Sequence, residues 1–165
     1  PTQSQRTILK GCIDMDSLQE IIQNTTKDEW ISSLPDYQQQ SLITLLLKLP
    51  EEDVAKSWID SSFKTTSPFS ADKSKKNYFD YVKIEFTNFI CGNPKYDEQR
   101  NDIKSQIDIQ DGIKTFIVSS ISTAIGSHIG ASAVIIAPVI VILLSLAGKI
   151  GINAYCEMSH YQSED

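Results

Sequence analysis

The histidines and cysteines are the first residues to consider for chemistry, because the chain has only two histidines, His128 and His160, and three cysteines. Cys156 and His160 are four residues apart, so a continuous helix would place both on one face as a pair of metal ligands. No second pair completes such a site, and the pattern favours a frayed C-terminus over a metal centre.

A cluster of three carboxylates, Glu51, Glu52 and Asp53, follows Pro50 directly. Proline and acidic side chains are favourable in the first helical turn, so a role at the helix dipole accounts for the cluster. The sequence has no Gly-rich phosphate loop after a strand, no GxSxG motif and no HExxH motif. We therefore predict that the protein is not an enzyme and has no catalytic, cofactor-binding or metal-binding residues.

Composition and charge place the chain among globular proteins. It has 165 residues, of which 41% are hydrophobic and 22% charged, and its formal net charge is −6. This length allows one domain with a substantial core or two small modules. An acidic protein binds phosphate backbones poorly, so nucleic acid is not expected as a partner.

The cysteines also bear on the compartment. Cys12, Cys91 and Cys156 form neither a CxxC pair nor a metal-ligand spacing. We expect a reducing compartment, the cytoplasm, with the thiols acting as small apolar side chains. The first twelve residues contain no apolar stretch of signal-peptide length, so no signal peptide is expected there, and whether the chain is a fragment stays open.

Helix signals are frequent along the chain and strand signals are weak. Capping boxes or prolines predict helix starts at Asp16 (with Gln19), Thr26 (with Glu29), Pro35, Pro50 and Pro94. Residues 61–72 are rich in Ser and Thr and predict a loop, and Gly92 predicts a helix end. Between them, apolar residues from Tyr78 to Ile90 recur at helical spacing.

The last third of the chain is apolar. Residues 113–156 contain only two charged side chains, Lys114 and Lys149. Ser122, Gly126 and Gly130 recur every fourth residue, so another backbone could approach that side of a helix closely. Residues 130–132 predict a turn followed by an antiparallel helix.

Within that second helix, Pro138 removes one backbone hydrogen bond, so a kink or a late helix start is expected. The two helices form a hairpin, Ile113–Cys156.

The hairpin could lie in lipid or in a protein core. Crossing a bilayer takes about 20 apolar residues, whereas Thr115–Ile129 and Ser132–Gly148 would be roughly 22 and 25 Å long. A helix that is apolar all round can instead be enclosed by other helices. The core interpretation is favoured. The alternative stays open because Lys114 and Lys149 would lie at the same end of the hairpin, where both could reach headgroups.

Aromatic residues and a small basic cluster are the candidates for contact with a partner. The aromatic residues would anchor an interface if exposed, although aromatic residues of short helices more often lie in the core. The lysines could contact solvent, anionic lipid or an acidic partner. The candidates are Trp30, Trp58, Phe63, Phe69, Lys73, Lys75 and Lys76.

Residues 78–156, with a Cys91-Gly92 pair, a Tyr96-Asp97-x-x-Arg100 run and an apolar end, resemble small helical modules encoded in bacterial defence and conflict gene clusters. The resemblance implies a bacterial, non-catalytic accessory or effector role and supplies no active-site residues.

The sequence as a whole predicts an all-α bundle of about seven or eight helices around the C-terminal hairpin. Its parts are a short-helix module (1–62), a loop (63–72), a helical module with the hairpin (73–158) and an acidic tail (159–165), together one compact domain. The leading function is a non-enzymatic adaptor or regulator that binds a protein partner or self-associates. The alternative is a membrane-active effector at the inner membrane, whose hairpin inserts into the bilayer.

Overall fold

The structure, a computed structural model, describes residues 17–66, 78–107 and 112–164, and the side chains of 17–62, 78–107 and 112–159. These residues form nine α-helices and one 3-10 helix, with no strand among them, which confirms the all-α prediction. The helices are α1 (17–24), α2 (Lys27–Ile31), α3 (Asp36–Leu46), α4 (Glu51–Thr66), α5 (Tyr78–Ile90), the 3-10 helix Pro94–Tyr96, α6 (Asp97–Gln106), α7 (Ile113–Ile129), α8 (Ala133–Ile150) and α9 (Ile152–Glu164).

Local sequence signals set most helix ends. The capping box at the start of α2 is present: the Thr26 hydroxyl accepts from the Glu29 backbone N–H at 3.2 Å, and Glu29 accepts from the Thr26 backbone N–H at 3.1 Å. Gly92 and Gly130 adopt left-handed backbone conformations just after α5 and α7, with φ of 93° and 74°. The predicted turn before α8 is confirmed, and the Ser132 hydroxyl caps that helix.

Two boundaries differ from the sequence prediction. Helix α4 continues to Thr66, so residues 61–66 are helical where a loop was expected. Helix α9 continues to Glu164, through the segment that was expected to be a frayed acidic tail. Asp16 and its capping box lie outside the described residues.

Helix α8 is the centre of the bundle. It packs against α2, α4, α5, α7 and α9, and residues 138–145 are all buried. An apolar helix without a polar face requires such an enclosure in water. A single cluster of buried residues joins the N-terminal helices to the hairpin, with Leu42 and Ile59 in the same core as Phe86 and Ile140.

The approach of α1 to α8 depends on a glycine. A Cβ atom at Gly148 would lie 2.5 Å from the backbone carbonyl oxygen of Ile22, which is closer than atoms can pack. Glycine at this position therefore lets α1 lie directly against the C-terminal part of α8.

Pro138 lies inside α8, which begins at Ala133 and continues through the proline. Proline has no N–H to donate to the carbonyl of Val134, four residues earlier. The Gln38 side chain from α3 donates to that carbonyl instead, with an Nε2–O distance of 2.9 Å. The Trp58 indole from α4 donates to the next carbonyl, of Ile135, at 3.1 Å. Helix α8 thus begins at Ala133 despite the proline, because its neighbours complete the hydrogen bonding.

Within the described residues, α8 is also the helix that meets the length and hydropathy of a membrane span. Its 18 residues have a mean hydropathy of 2.5, and 56% of them are buried inside the bundle. This burial is what the core interpretation predicts.

Candidate interaction surface

The two tryptophans that the sequence offered as anchors serve the core in this structure. Trp30 is completely buried, and Trp58 is partly buried with its indole N–H bound to α8. Neither is therefore an exposed anchor. Both belong to the core, which is the more common position for aromatic residues of short helices. The remaining candidates lie outside the described side chains: Phe63, Phe69, Lys73, Lys75 and Lys76.

Three aliphatic side chains of α3 and the turn after it are among the exposed apolar side chains of the described residues. Leu47 is 83% exposed, Ile43 48% and Leu49 38%; we call these three residues the α3 edge. Three consecutive leucines, at 45–47, cannot all face inward, because successive helical residues point about 100° apart. Leu45 and Leu46 are half-buried, so Leu47 is turned toward solvent.

The lysines of the hairpin are both held by glutamates of the N-terminal helices. Lys149 donates to Glu51 Oε1 at 2.7 Å, and Lys27 approaches the same oxygen at 3.3 Å. Lys114 pairs with Glu29 of α2. We call these two groups of ion pairs, five residues in all, the hairpin clasp. It ties both chain ends of the α7–α8 hairpin to α2 and α4.

The clasp changes the ionisation of its carboxyl groups. A hydrogen bond from Lys114, followed by hydrogen bonds from the Thr26 backbone and side chain, lowers the pKa of Glu29 to about 2. Partial burial opposes ionisation of Glu51, but the hydrogen bonds and charges of Lys149 and Lys27 outweigh it, and the net pKa is lowered. Both carboxylates are therefore charged at neutral pH.

The small residues of α7 meet the turn of their own hairpin. A Cβ at Gly126 would lie 2.4 Å from the Ala131 carbonyl oxygen, so the close backbone approach expected at this residue occurs at the α7–α8 turn. Gly130 supplies the left-handed cap at that turn, and the space that a Cβ would occupy there is open. Ser122 is buried and lines a cavity of about 410 Å³ beside Gln38 and α8.

The cysteine prediction is wrong for two of the three residues. Cys91 and Cys156 form a disulfide, with their Cα atoms 5.7 Å apart, so neither is a free thiol or a metal ligand in this structure. The helical bundle brings together residues 65 positions apart in the chain, a proximity that spacing could not reveal. Cys12 and the His160 side chain lie outside the described residues, and the described ones contain no cluster of metal-binding side chains.

The disulfide lines a groove between α5 and α9. This α5–α9 groove has a volume of about 620 Å³, and Asp80, Lys83 and Ser159 line it together with both cysteines. Each cysteine is half-buried, so the bond lies at the surface of the bundle and not in its core.

Comparisons of the chain with protein-family models, with curated proteins and with solved structures find no match. The resemblance to modules of bacterial defence systems therefore stays a prediction.

Proposed function

We propose that this chain is a non-enzymatic helical module that acts through protein–protein contacts made by the α3 edge. The observation that carries the proposal is the 83% exposure of Leu47, with Ile43 and Leu49 of the same segment also exposed. Burying apolar surface contributes roughly 25 cal/mol per Å², so an apolar partner surface would gain affinity here. The proposed role is that of an adaptor or regulator.

The enclosure of α8 supports a protein that folds in water before it meets its partner. Residues 138–145 are covered by the chain's own helices, and the hairpin lysines have glutamate counterions inside the same chain. The apolar residues in the middle of α8 are thus buried within the chain itself. The side chains of the α3 edge, by contrast, are exposed to solvent among the described residues.

The setting of this function is part of the proposal. The disulfide favours an oxidising compartment over the cytoplasm, because disulfides form and persist mainly where thiols are oxidised. A role in bacterial defence rests on the resemblance of residues 78–156 alone.

Site-specific photocrosslinking tests the α3 edge. A photoreactive residue at Leu47 should give a discrete adduct with one partner protein or with a second copy of the chain. The same residue at Ser41 is the control, because Ser41 is exposed on a different side of α3. Leu47→Glu should abolish the partner's binding to the purified chain, and Ser41→Glu should not. Equal adducts at both positions would contradict the proposal.

A second candidate function is a membrane-active effector. The observation favouring it is the 18-residue apolar span of α8, which ends beside Lys149 at the same end of the hairpin as Lys114. Anionic headgroups could replace Glu29 and Glu51 as counterions of these lysines. Lipid would then replace the enclosing helices as the environment of α8.

Dye leakage from vesicles distinguishes the two functions. A membrane effector should release dye from vesicles of phosphatidylcholine and phosphatidylglycerol, and release less from phosphatidylcholine alone. Ile140→Asp should prevent folding if α8 is a core helix, because it buries an unpaired charge. If Ile140→Asp folds normally by circular dichroism and loses only leakage, the core interpretation is wrong.

A further inference from the structure

The disulfide occupies a position that a small reductant can reach. Cys91 follows the last residue of α5, and the chain then turns away at Gly92, whose φ is 93°. The α5–α9 groove, of about 620 Å³, opens onto both half-buried sulfur-bearing residues. A bond lying in such a groove can be attacked without prior unfolding of the bundle.

Two charged side chains lining the groove influence the approach of an attacking thiolate. The Lys83 ammonium attracts an anion, and the Asp80 carboxylate repels it. Lys83 also pairs with Glu52 at 3.4 Å, which keeps its side chain beside α4.

Among the residues with described side chains, a small number of contacts joins α9 to the rest of the bundle, and one of them is a hydrogen bond from the Ile152 backbone N–H to Gln23 Oε1 at 3.0 Å. Of its residues with described side chains, only Ile152 and Tyr155 are buried. The Tyr155 ring packs edge-on against Phe86, with centroids 6.0 Å apart, and its hydroxyl lies 3.3 Å from Thr87 Oγ1. The disulfide is the covalent cross-link among these contacts, so its loss would leave the described part of α9 attached by the Ile152–Gln23 hydrogen bond and by the packing of Ile152 and Tyr155.

We propose that Cys91–Cys156 is a thiol–disulfide exchange site that takes a dithiol reductant and whose reduction releases α9. This inference is independent of the proposed α3 edge. One thiolate of the dithiol bonds to Cys91 Sγ, the Cys91–Cys156 bond breaks, and Cys156 leaves as a thiolate that takes a proton from water. The second thiol then attacks the mixed disulfide and releases Cys91. The protein gains two electrons and two protons, and the dithiol becomes a cyclic disulfide.

The direction of attack follows from helix electrostatics. Cys91 lies at the C-terminal end of α5, where the helix dipole is negative and disfavours a thiolate. Cys156 lies within α9, away from its C-terminal end, and is therefore the better leaving group. A trapped mixed disulfide should be found on Cys91.

Reduction kinetics of the folded protein test the proposal. The full chain carrying Cys12→Ser, which removes the third thiol, is treated with dithiothreitol in native buffer and quenched with N-ethylmaleimide. Mass spectrometry should show two labelled cysteines at a rate proportional to dithiol concentration. Hydrogen exchange should then show lost protection in α9 and retained protection in α8.

Charge-removing variants of the two charged residues that line the groove, with a matched lysine control, test the role of the groove. Lys83→Gln should slow reduction by up to about twofold at low ionic strength, and Asp80→Asn should accelerate it by a smaller factor, because Asp80 is farther from Cys91 along α5. Lys56→Gln is the control, since Lys56 also pairs with Glu52 and lies over the Phe79 ring but does not line the groove. Lys56→Gln should leave the rate unchanged.

Three results would overturn the inference. The first is a purified, air-oxidised protein in which Cys91 and Cys156 are not bonded. The second is a reduction rate independent of dithiol concentration and equal to the rate of global unfolding, because the bond would then be shielded. The third is unchanged protection of α9 after complete reduction, because the disulfide would then not retain the helix.

Discussion

At the scale of single residues, structural contacts explain the Tyr96-Asp97-x-x-Arg100 run. Arg100 of the Tyr96-Asp97-x-x-Arg100 run is only 3% exposed. Its guanidinium donates to the carbonyl oxygens of Phe89 at 2.7 Å and Asn93 at 2.8 Å, and it pairs with Asp97. The motif therefore fastens the end of α5 to α6, which is a structural role.

Tyr96 of the same run is completely buried, and its hydroxyl donates to Glu85 at 2.7 Å. Burial and the neighbouring Glu85 carboxylate raise the pKa of Tyr96 well above its usual range. Burial opposes ionisation of Glu85, but hydrogen bonds from Lys95 and Tyr96 outweigh it, and the pKa of Glu85 is lowered. In this pair Tyr96 is a neutral hydrogen-bond donor and Glu85 is a charged acceptor.

We predict that Arg100→Met destabilises the protein by about 2–4 kcal/mol, because two carbonyl groups lose a charged donor inside the bundle. Urea unfolding followed by circular dichroism would measure the change. Lys104→Met, a replacement of the same type on the same helix, should cost no more than about 0.5 kcal/mol. An equal effect of both substitutions would show that the Arg100 hydrogen bonds contribute nothing specific.

At the scale of elements, α8 depends on its neighbours for hydrogen bonds as well as for burial. Gln38 and Trp58 come from α3 and α4, and they donate to adjacent carbonyls one turn before Pro138. Gln38 is a polar residue with only 3% exposure; this hydrogen bond satisfies its Nε2, whereas its Oε1 is buried without a partner among the described residues. Two candidates for function, Trp58 and Pro138, thus belong to one structural arrangement.

A double-mutant cycle tests this arrangement. Gln38→Leu should destabilise the protein by about 1–2 kcal/mol, because it leaves the Val134 carbonyl without a donor. In a Pro138→Ala background the alanine N–H can serve that carbonyl, so the same substitution should cost about 1 kcal/mol less. Any cavity left by the missing proline ring is common to both arms of the cycle. Identical costs in the two backgrounds would contradict the assigned role of Gln38.

At the scale of the whole molecule, the hairpin clasp connects helices that are distant in the chain. Glu29 and Lys114 are 85 positions apart, and Glu51 and Lys149 are 98 apart. The Glu29 pKa of about 2 is below its ordinary 4.5, so folding favours the charged carboxylate. The stability from this pair is complete above the unfolded pKa and is lost as pH falls from 4.5 towards 2.

We expect the free energy of unfolding to fall as pH is lowered through this interval, and to fall less in Lys114→Met. Without the lysine, the folded and unfolded pKa values of Glu29 move closer together, so less proton uptake accompanies unfolding. Urea titrations across pH values from about 6 to 2 would measure the slopes. The control Lys48→Met removes an exposed lysine outside the clasp and should preserve the wild-type slope. If Lys114→Met keeps the wild-type slope, the Glu29–Lys114 pair is not the source of the pH dependence.

The sequence by itself determined the structural features that depend on residues close together in the chain. It predicted the all-α class, the capping box at Thr26, the ends at Gly92 and Gly130 and the hairpin, because caps, turns and helical periodicity act within about one helical turn. It also predicted that α8 would need shelter from water.

Only the tertiary structure decided which long-range groups meet. The Cys91–Cys156 bond, the glutamate partners of Lys114 and Lys149, the Gln38 donor at the proline and the exposure of Leu47 all depend on how helices far apart in the chain are placed against each other. Side-chain spacing carries no record of such pairings, because many arrangements of the same helices satisfy the same periodicity.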